Sequence, residues 1–352
     1  MSSDLTAPLR DRVLGALAAR TPLAIRAGGS KAFHGRAVQG EALDVLGHAG
    51  IVEHAPTELV VTARCGTPLA ELEAALAAHG QMLPFEPPHF GPGGTVGGMV
   101  ASGLSGPRRP WGGSVRDAVL GVQVLTGGGE VLRFGGQVMK NVAGYDVARL
   151  LAGSLGSLGV ILEVSLKVLP RPAKEITLVQ EADHATALAR LAAWQGRAWP
   201  LSASLHDGER LWLRLSGTHA GVNAARDALG GEELADTTLW TEARDQRLAF
   251  FQTGRPIWRL SLPPATPMPD LPGSWLVEWG GAQRWLISDA PAALIRAAAS
   301  LAGGHATLCR GHDGTDEVFQ PLPAPLMALH RRLKASFDPH GILNPGVMYA
   351  EL

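Results

Sequence analysis

The stretch EPPHFGPGGTVGGMVASGLSGPRRPWGGSVRD, residues 86–117, decides the reading of this chain. Its glycines allow backbone to approach a flat or anionic ligand, because no Cβ stands in the way. Thr95 and Ser102 add hydroxyls suited to phosphate oxygens or ring heteroatoms. No regular secondary structure is evident across residues 87–103, and a long connection of that kind is more often functional than passive. Upstream, residues 22–26 form a short strand pattern that runs into Ala27-Gly28-Gly29-Ser30-Lys31. Consecutive N–H groups there suit a diphosphate. The loop is neither a Walker A sequence nor GxGxxG, and a glycine pair after a strand is by itself usually only a turn.

Working outward, residues 9–20 have a helical pattern and 59–64 a strand pattern. Thr67 as cap and Pro68 in the first turn introduce a helix over 69–79 that stops at Gly80. Strands at 121–126 and 130–134 flank Gly127-Gly128-Gly129, a hairpin signal. Residues 145–152 read as a helix, and 160–168 as a strand ended by Pro170. Strands mix with a few helices, without the strict alternation of a nicotinamide-binding Rossmann domain, so the class is α+β. Arg171-Pro172 marks a boundary where glycine density drops. Beyond it, helices at 183–194, 220–229 and 291–302 alternate with strands at 211–215, 258–262, 275–278, 285–288 and 306–309. That pattern predicts a small antiparallel sheet with helices on one face. A last helix over 325–337 leads into DPHGILNPG, residues 338–346.

Composition narrows the function classes. The 352 residues are 46% hydrophobic, enough for two ordinary domains, and a net charge of −1 supplies no field for nucleic acid or an anionic membrane. The two cysteines, Cys65 and Cys309, form no CxxC pair and suggest neither a disulfide framework nor a zinc ribbon, which fits a reducing cytoplasm. No apolar run reaches the roughly 18 residues of a membrane span, so membrane association is expected only peripherally or through a partner. The 44 glycines follow no repeat, which excludes collagen and solenoids.

The order of segments resembles the vanillyl-alcohol-oxidase or PCMH type of flavoprotein: a glycine-pair loop, GTVGG at 94–98, VRDAVLG at 115–121, KNVAGYD at 140–146, GSLGSLG at 153–159 and a late LNPG at 343–346. Residues 86–117, RFGGQVMKNVAGYDVARLLAGSLGSLGV at 133–160 and FDPHGILNPGVMYAEL at 337–352 are similar to the smaller flavin-carrying subunits of bacterial glycolate oxidases (glycolate dehydrogenases). The resemblance covers nearly the whole chain. It implies FAD, a PCMH-type FAD-binding domain over 1–170, a ferredoxin-like α+β cap over 171–330, and a return of 331–352 to the FAD domain. It also implies oxidation of glycolate, a small 2-hydroxy acid, with a larger flavoprotein subunit and an iron–sulfur subunit as partners.

Carried over residue by residue, Arg26, Gly28, Gly29, Ser30 and Lys31 hold the diphosphate from one side and Gly94, Thr95, Gly97 and Gly98 from the other. Ser102 and Asp117 belong to the flavin environment. Gly159, Val160 and Ile161 present backbone to the adenine end, and Asn344 returns to the domain edge. Lys140, Asn141, Tyr145 and Asp146 either contact flavin or hold a helix. Single-chain 2-hydroxy-acid dehydrogenases of this type carry Glu-His-Gly-Ile-Gly late in the cap, where this chain has Arg310-Gly311-His312-Asp313-Gly314. The missing acidic residue argues against an autonomous oxidase. A metal cluster of His305, Cys309, His312 and Asp313 matches no standard zinc spacing, and a polar turn is expected instead. Trp258, Trp275, Trp279 and Trp285 are expected in the core. Arg108 and Arg109 are expected to be solvated, as is the basic face His330, Arg331, Arg332 and Lys334. The alternatives left open are a structural or assembly subunit and an autonomous 2-hydroxy-acid oxidase.

Overall fold

The computed structural model describes residues 3–137 and 145–352; Lys140 and Asn141 lie outside the described residues. Helix α1 (Thr6–Ala19) buries Leu9, Val13 and Ala16, spaced for one helical face. It leads into β1 (Leu23–Arg26), which pairs in parallel with β2 (Glu41–Asp44). Five further strands, β3 (Ile51–Ala55), β4 (Val60–Arg64), β5 (Val119–Leu125), β6 (Val131–Gly135) and β7 (Val160–Lys167), form an antiparallel sheet in the order β3-β4-β7-β5-β6. The triple glycine turns the β5–β6 hairpin, with Gly129 at φ 79°.

Two helices cover this sheet. Helix α2 (Leu69–Ala77) buries Leu69, Leu72 and Leu76. Thr67 does not cap it: its hydroxyl contacts the N–H and carbonyl of Gly50 instead, and Pro68 takes the cap position. Helix α3 (Val96–Ser102) lies inside the glycine-rich stretch expected to be irregular, capped by Thr95 Oγ1 accepting from Gly98 N–H at 3.2 Å. Burial of Val96, Met99 and Val100 overrides the poor helix propensity of its glycines. Residues 145–152 are not a regular helix; only the 3-10 turn Ala148–Leu151 forms there, and Tyr145 is 98% exposed.

The cap is larger than expected, one antiparallel sheet of eight strands built from two ferredoxin-like halves. The first half is β8 (Lys174–Glu181), α4 (His184–Trp194), β9 (Leu201–His206), β10 (Arg210–Gly217), α5 (His219–Leu229) and β11 (Glu232–Leu234), the β-α-β-β-α-β succession. The second is β12 (Ile257–Ser261), β13 (Ser274–Glu278), β14 (Gln283–Ile287), α6 (Ala292–Leu301) and β15 (His305–Arg310), with a loop over 262–273 where the first half has a helix. The order β11-β8-β10-β9-β13-β14-β12-β15 joins the halves through β9 and β13. Trp258 and Leu260 pack with Ile295 and Ala299 of α6 on one face. Trp285, Ile257 and Leu276 form a separate cluster on the other.

Ion pairs bind the eight-stranded sheet to the N-terminal part of the chain. Arg108 is 7% exposed, not solvated: Nε donates to Glu86 Oε1 at 3.2 Å and Nη2 to Glu175 Oε2 at 2.6 Å. Arg214 reaches the other Glu86 oxygen at 2.7 Å. Arg109 is exposed but stacks 4.6 Å from the Trp279 ring. The chain then returns through α7 (Ala324–Phe337), where Lys334 departs from the expected solvated face. It is buried, donating to Asp338 Oδ2 at 2.9 Å and to the carbonyls of Ser157 and Leu343 at 2.9 and 2.7 Å. Asp338 in turn accepts from the N–H groups of Ile342 and Leu343, fixing the turn that brings Leu343 beside Leu23.

Candidate cofactor site

The loop after β1, the start of α3 and the C-terminal return enclose a cavity of about 440 Å³. Nine of the expected residues line it: Arg26, Gly28, Gly29, Ser30, Lys31, Thr95, Gly98, Ser102 and Asn344. Gly93, Ala101, Leu155 and Val347 also line it and were not singled out from the sequence. For Gly93 a signal existed, since it opens the same glycine run. For the three apolar residues there was none.

Gly28 and Gly93 nearly touch: a Cβ on Gly28 would stand 1.8 Å from the Gly93 carbonyl oxygen, and one on Gly93 would stand 2.3 Å from that of Gly28. Only glycine at both positions allows these loops to meet. Beyond the contact, the N–H groups of Gly28, Gly29, Ser30 and Lys31 donate to no other described residue. Four neighbouring donors without protein partners form an anion nest. Lys31 Nζ lies 3.4 Å from Ser30 Oγ and 5.7 Å from the Phe90 ring centre, with no ion pair among the described residues. Burial, partly opposed by the field of Asp245, draws its pKa down to about 8. A phosphate beside it would restore the charge.

The hydroxyls are partly engaged, Thr95 as the α3 cap and Ser102 donating to Met99 O at 3.1 Å. Asn344, at φ 41°, ties three segments together: its Oδ1 accepts from Ile25 N–H at 2.7 Å, its Nδ2 donates to Leu155 O at 2.7 Å, and its own N–H donates to Leu23 O at 2.9 Å. His34, 8% exposed, lines the same cavity; burial, then the fields of Arg259, Arg310, His312 and Lys31, push its pKa down to about 3.

The remaining expected residues stand outside the cavity lining. Gly97 packs on Cys65, where a Cβ would meet the Cys65 Cβ at 2.6 Å. Gly94 accepts from Leu69 N–H. Asp117 closes a capping box with Ser114, its Oδ2 accepting from the Ser114 N–H and hydroxyl at 2.8 and 2.7 Å. Gly159 packs against Val124, and Val160 and Ile161 are buried in β7. Asp146 pairs with Arg149.

The late cap segment is a polar turn with both His312 ring nitrogens engaged. Nε2 contacts Phe33 O at 3.0 Å and Nδ1 accepts from Gly314 N–H at 3.2 Å. Among the described residues no group of three His, Cys, Asp or Glu side chains is placed to hold a metal. No described helix is long and apolar enough to cross a membrane.

A nest of free donors, a cation and a glycine-only approach fit the diphosphate of a dinucleotide, and the apolar walls from Ile25, Ala101, Leu155 and Val347 fit its flat moieties. Residues 7–135 match the family described as FAD binding domain, and residues 311–348 the family described as FAD linked oxidases, C-terminal domain. The chain is 53% identical over 349 residues to glycolate oxidase subunit GlcE of Escherichia coli (strain K12), covering 99% of each. It is 32% identical over 140 residues to glycolate oxidase subunit GlcD of Bacillus subtilis (strain 168), covering 40% of this chain and 30% of that one. A solved alkyldihydroxyacetonephosphate synthase shares the fold at a TM-score of 0.67 and 16% identity, covering 96% of this chain and 74% of the other.

Proposed function

The chain belongs to the family of glycolate oxidase GlcE subunits, and on that premise we propose that it is the FAD-carrying member of an assembly that oxidises glycolate to glyoxylate and passes the electrons to an iron–sulfur subunit. The observation that carries the reading is the four-donor nest closed by Gly28 against Gly93, in a chain so similar to that subunit from end to end. Bound FAD supplies what side chains lack, acceptance of a hydride and release of single electrons.

The chain's own residues bind and orient. The nest and Lys31 hold the diphosphate, with Arg26, Thr95, Gly98 and Ser102 on the surrounding walls. Asn344 fixes the spacing between β1 and the C-terminal return. Gly94, Gly97 and Asp117 act one step back, holding α3 and the short helix after Ser114 in place. Gly159, Val160 and Ile161 carry the adenine side. In this reading residues 1–170 are the FAD domain, 171–330 the cap and 331–352 the return.

Electrons need an exit. An iron–sulfur cluster generally takes four ligands, usually cysteines, and this sequence has two, both buried and unpaired with each other. The exit therefore lies on another chain, a larger flavoprotein subunit together with an iron–sulfur subunit, at the cytoplasmic face of the membrane. The test is glycolate-dependent reduction of a quinone analogue by this chain alone, then with the larger flavoprotein subunit, then with the iron–sulfur subunit as well. Activity is expected only in the full set. Full-rate turnover by the lone chain would favour an autonomous oxidase, and unchanged activity when it is omitted would leave it no required role.

A further inference from the structure

Beside the cofactor cavity lies a second hollow, a groove of about 300 Å³. It is bounded by the segment 317–322, the first turns of α7 and residues 348–351, and Pro321, Ala324 and Ala350 on its walls are exposed. Phe319, Leu322, Met327, Met348 and Tyr349 make its floor apolar. Methionine side chains adapt to the shape of whatever covers them. An apolar groove open to water marks an interaction site.

A thin wall separates this groove from the cofactor cavity. Arg36 lines both. Val347 lines the cavity, and the next residue, Met348, lines the groove. The rings of the wall follow one another: His34, in the cavity lining, meets Phe319 edge-on at 5.5 Å between ring centres, and Phe319 meets Tyr349 at 6.2 Å. Rings at that spacing are packed against each other. Electron transfer through protein weakens steeply with distance, and a chain seated in the groove is separated from the cavity by these two ring contacts.

The rim favours an acidic partner. Arg36 is half-buried, and its Nη1 donates to the carbonyls of Thr315 and Asp316, with no carboxylate partner among the described residues. Helix α7 carries Arg331, Arg332 and Lys334 and no acidic residue. Arg331 pairs with Glu351 and Lys334 with Asp338, while exposed Arg332 pairs with no described acid. The remaining rim acid, Glu317, is held by Arg296 at 3.2 Å. The acids are thus matched, and Arg36 and Arg332 are left over. Complementary charge of that kind selects and orients a partner.

We propose that this groove is the docking surface for the chain that takes the electrons, an iron–sulfur chain on the functional reading above. It presents an apolar side chain to the floor and acidic side chains to Arg36 and Arg332. For each glycolate oxidised, two electrons cross to the partner, each turning a ferric centre ferrous, and two protons go to solvent. The inference rests on that reading and extends it from the need for an exit to a surface that provides one.

The test places a photo-reactive benzophenone side chain at position 324, where Ala324 is exposed on the groove wall, and irradiates the complete FAD-loaded assembly. Crosslinking to the iron–sulfur chain is expected. Crosslinking only to the larger flavoprotein subunit or to a second copy of this chain, or no crosslink, would overturn the proposal. Ala324→Glu supplies an affinity measurement. The helix dipole favours an acid in the first turn, so the fold is kept, and flavin content verifies it. In a sedimentation titration with the larger flavoprotein subunit present, like charge should weaken binding of the iron–sulfur chain to this variant about tenfold or more. Ala324→Lys should weaken it less, and the reverse order would contradict an acidic partner. The two readings fail separately. Equal binding to wild type and Ala324→Glu removes the surface and leaves the assembly, whereas no binding of an iron–sulfur chain to wild type removes both.

Discussion

Replacing Gly28 by alanine adds one methyl group where the structure has room for none. The new carbon would lie 1.8 Å from the Gly93 carbonyl oxygen, with the Gly93 carbonyl carbon at 2.6 Å and its Cα at 2.8 Å. All three atoms are backbone, so no side chain can rotate away. Restoring normal contact requires the two loops to part by roughly 1.5 Å, and a shift of that size takes the nest out of register with a diphosphate. Hydrogen bonds to charged groups contribute about 1.5–3 kcal/mol each, so losing two of four costs about 3 kcal/mol or more, roughly a hundredfold in FAD affinity. Two companion variants isolate the cause. Gly29 has φ 71° and open space around its would-be Cβ, so Gly29→Ala carries only about 1–2 kcal/mol of backbone strain and should retain flavin. Gly97→Ala pushes on Cys65 in the core and should lower stability by about 1–3 kcal/mol while the folded fraction still binds. Flavin absorbance after gel filtration and a fluorescence-quenching titration, beside a circular-dichroism check of folding, measure all three. A folded Gly28→Ala protein with wild-type FAD affinity would refute the cradle.

Lys31 makes FAD affinity pH-dependent: with its pKa drawn down to about 8 by burial, binding of the anion is coupled to its protonation. Affinity should be highest below pH 8 and fall by up to about tenfold per pH unit above it, and Lys31→Met should be weaker and flat across the same range. Glu278, 3% exposed, has its pKa raised by burial from 4.5 to about 7, against the opposing bonds from Trp285 and Gln283. A raised acid stabilises the fold fully below its unfolded pKa, and that contribution is lost as pH rises through 7, on the order of 3 kcal/mol at most. Glu278→Gln should therefore raise the melting temperature relative to wild type at pH 8, with the gap closing toward pH 5; a gap independent of pH would contradict this. Arg214→Met removes one of the two guanidinium groups that hold Glu86, leaving Arg108 in place, and should cost about 1–3 kcal/mol in urea unfolding, with no loss contradicting the buried network.

The parts of the fold that follow local rules were legible. The triple-glycine hairpin, the helix begun by Pro291 and the strand at 160–168 rest on turn chemistry and apolar patterning, which act over a few residues. Helix α3 was not legible, because its glycines argue against a helix and only tertiary burial of Met99 and Val100 makes one. Lys334 was misread for a related reason. Its acceptors include Ser157, far away in sequence, and nothing local distinguishes it from Arg331 and Arg332, which remain exposed. The same holds for Arg108, whose partner Glu175 lies in the other domain. At the cofactor site, the glycine pair and Asn344 were legible as motifs. The opposition of Gly28 to Gly93 was not, since closeness of two backbones leaves no mark on either residue beyond its being glycine.

The central claim is that this chain's own flavin takes part in glycolate oxidation. The most direct measurement is an anaerobic visible spectrum of the assembly in which FAD is bound only to this chain, recorded before and after glycolate. The account predicts one flavin per chain and bleaching of its absorption band on addition of glycolate. A chain that stays colourless after FAD is supplied, or a bound flavin that stays oxidised in the complete assembly, would contradict it.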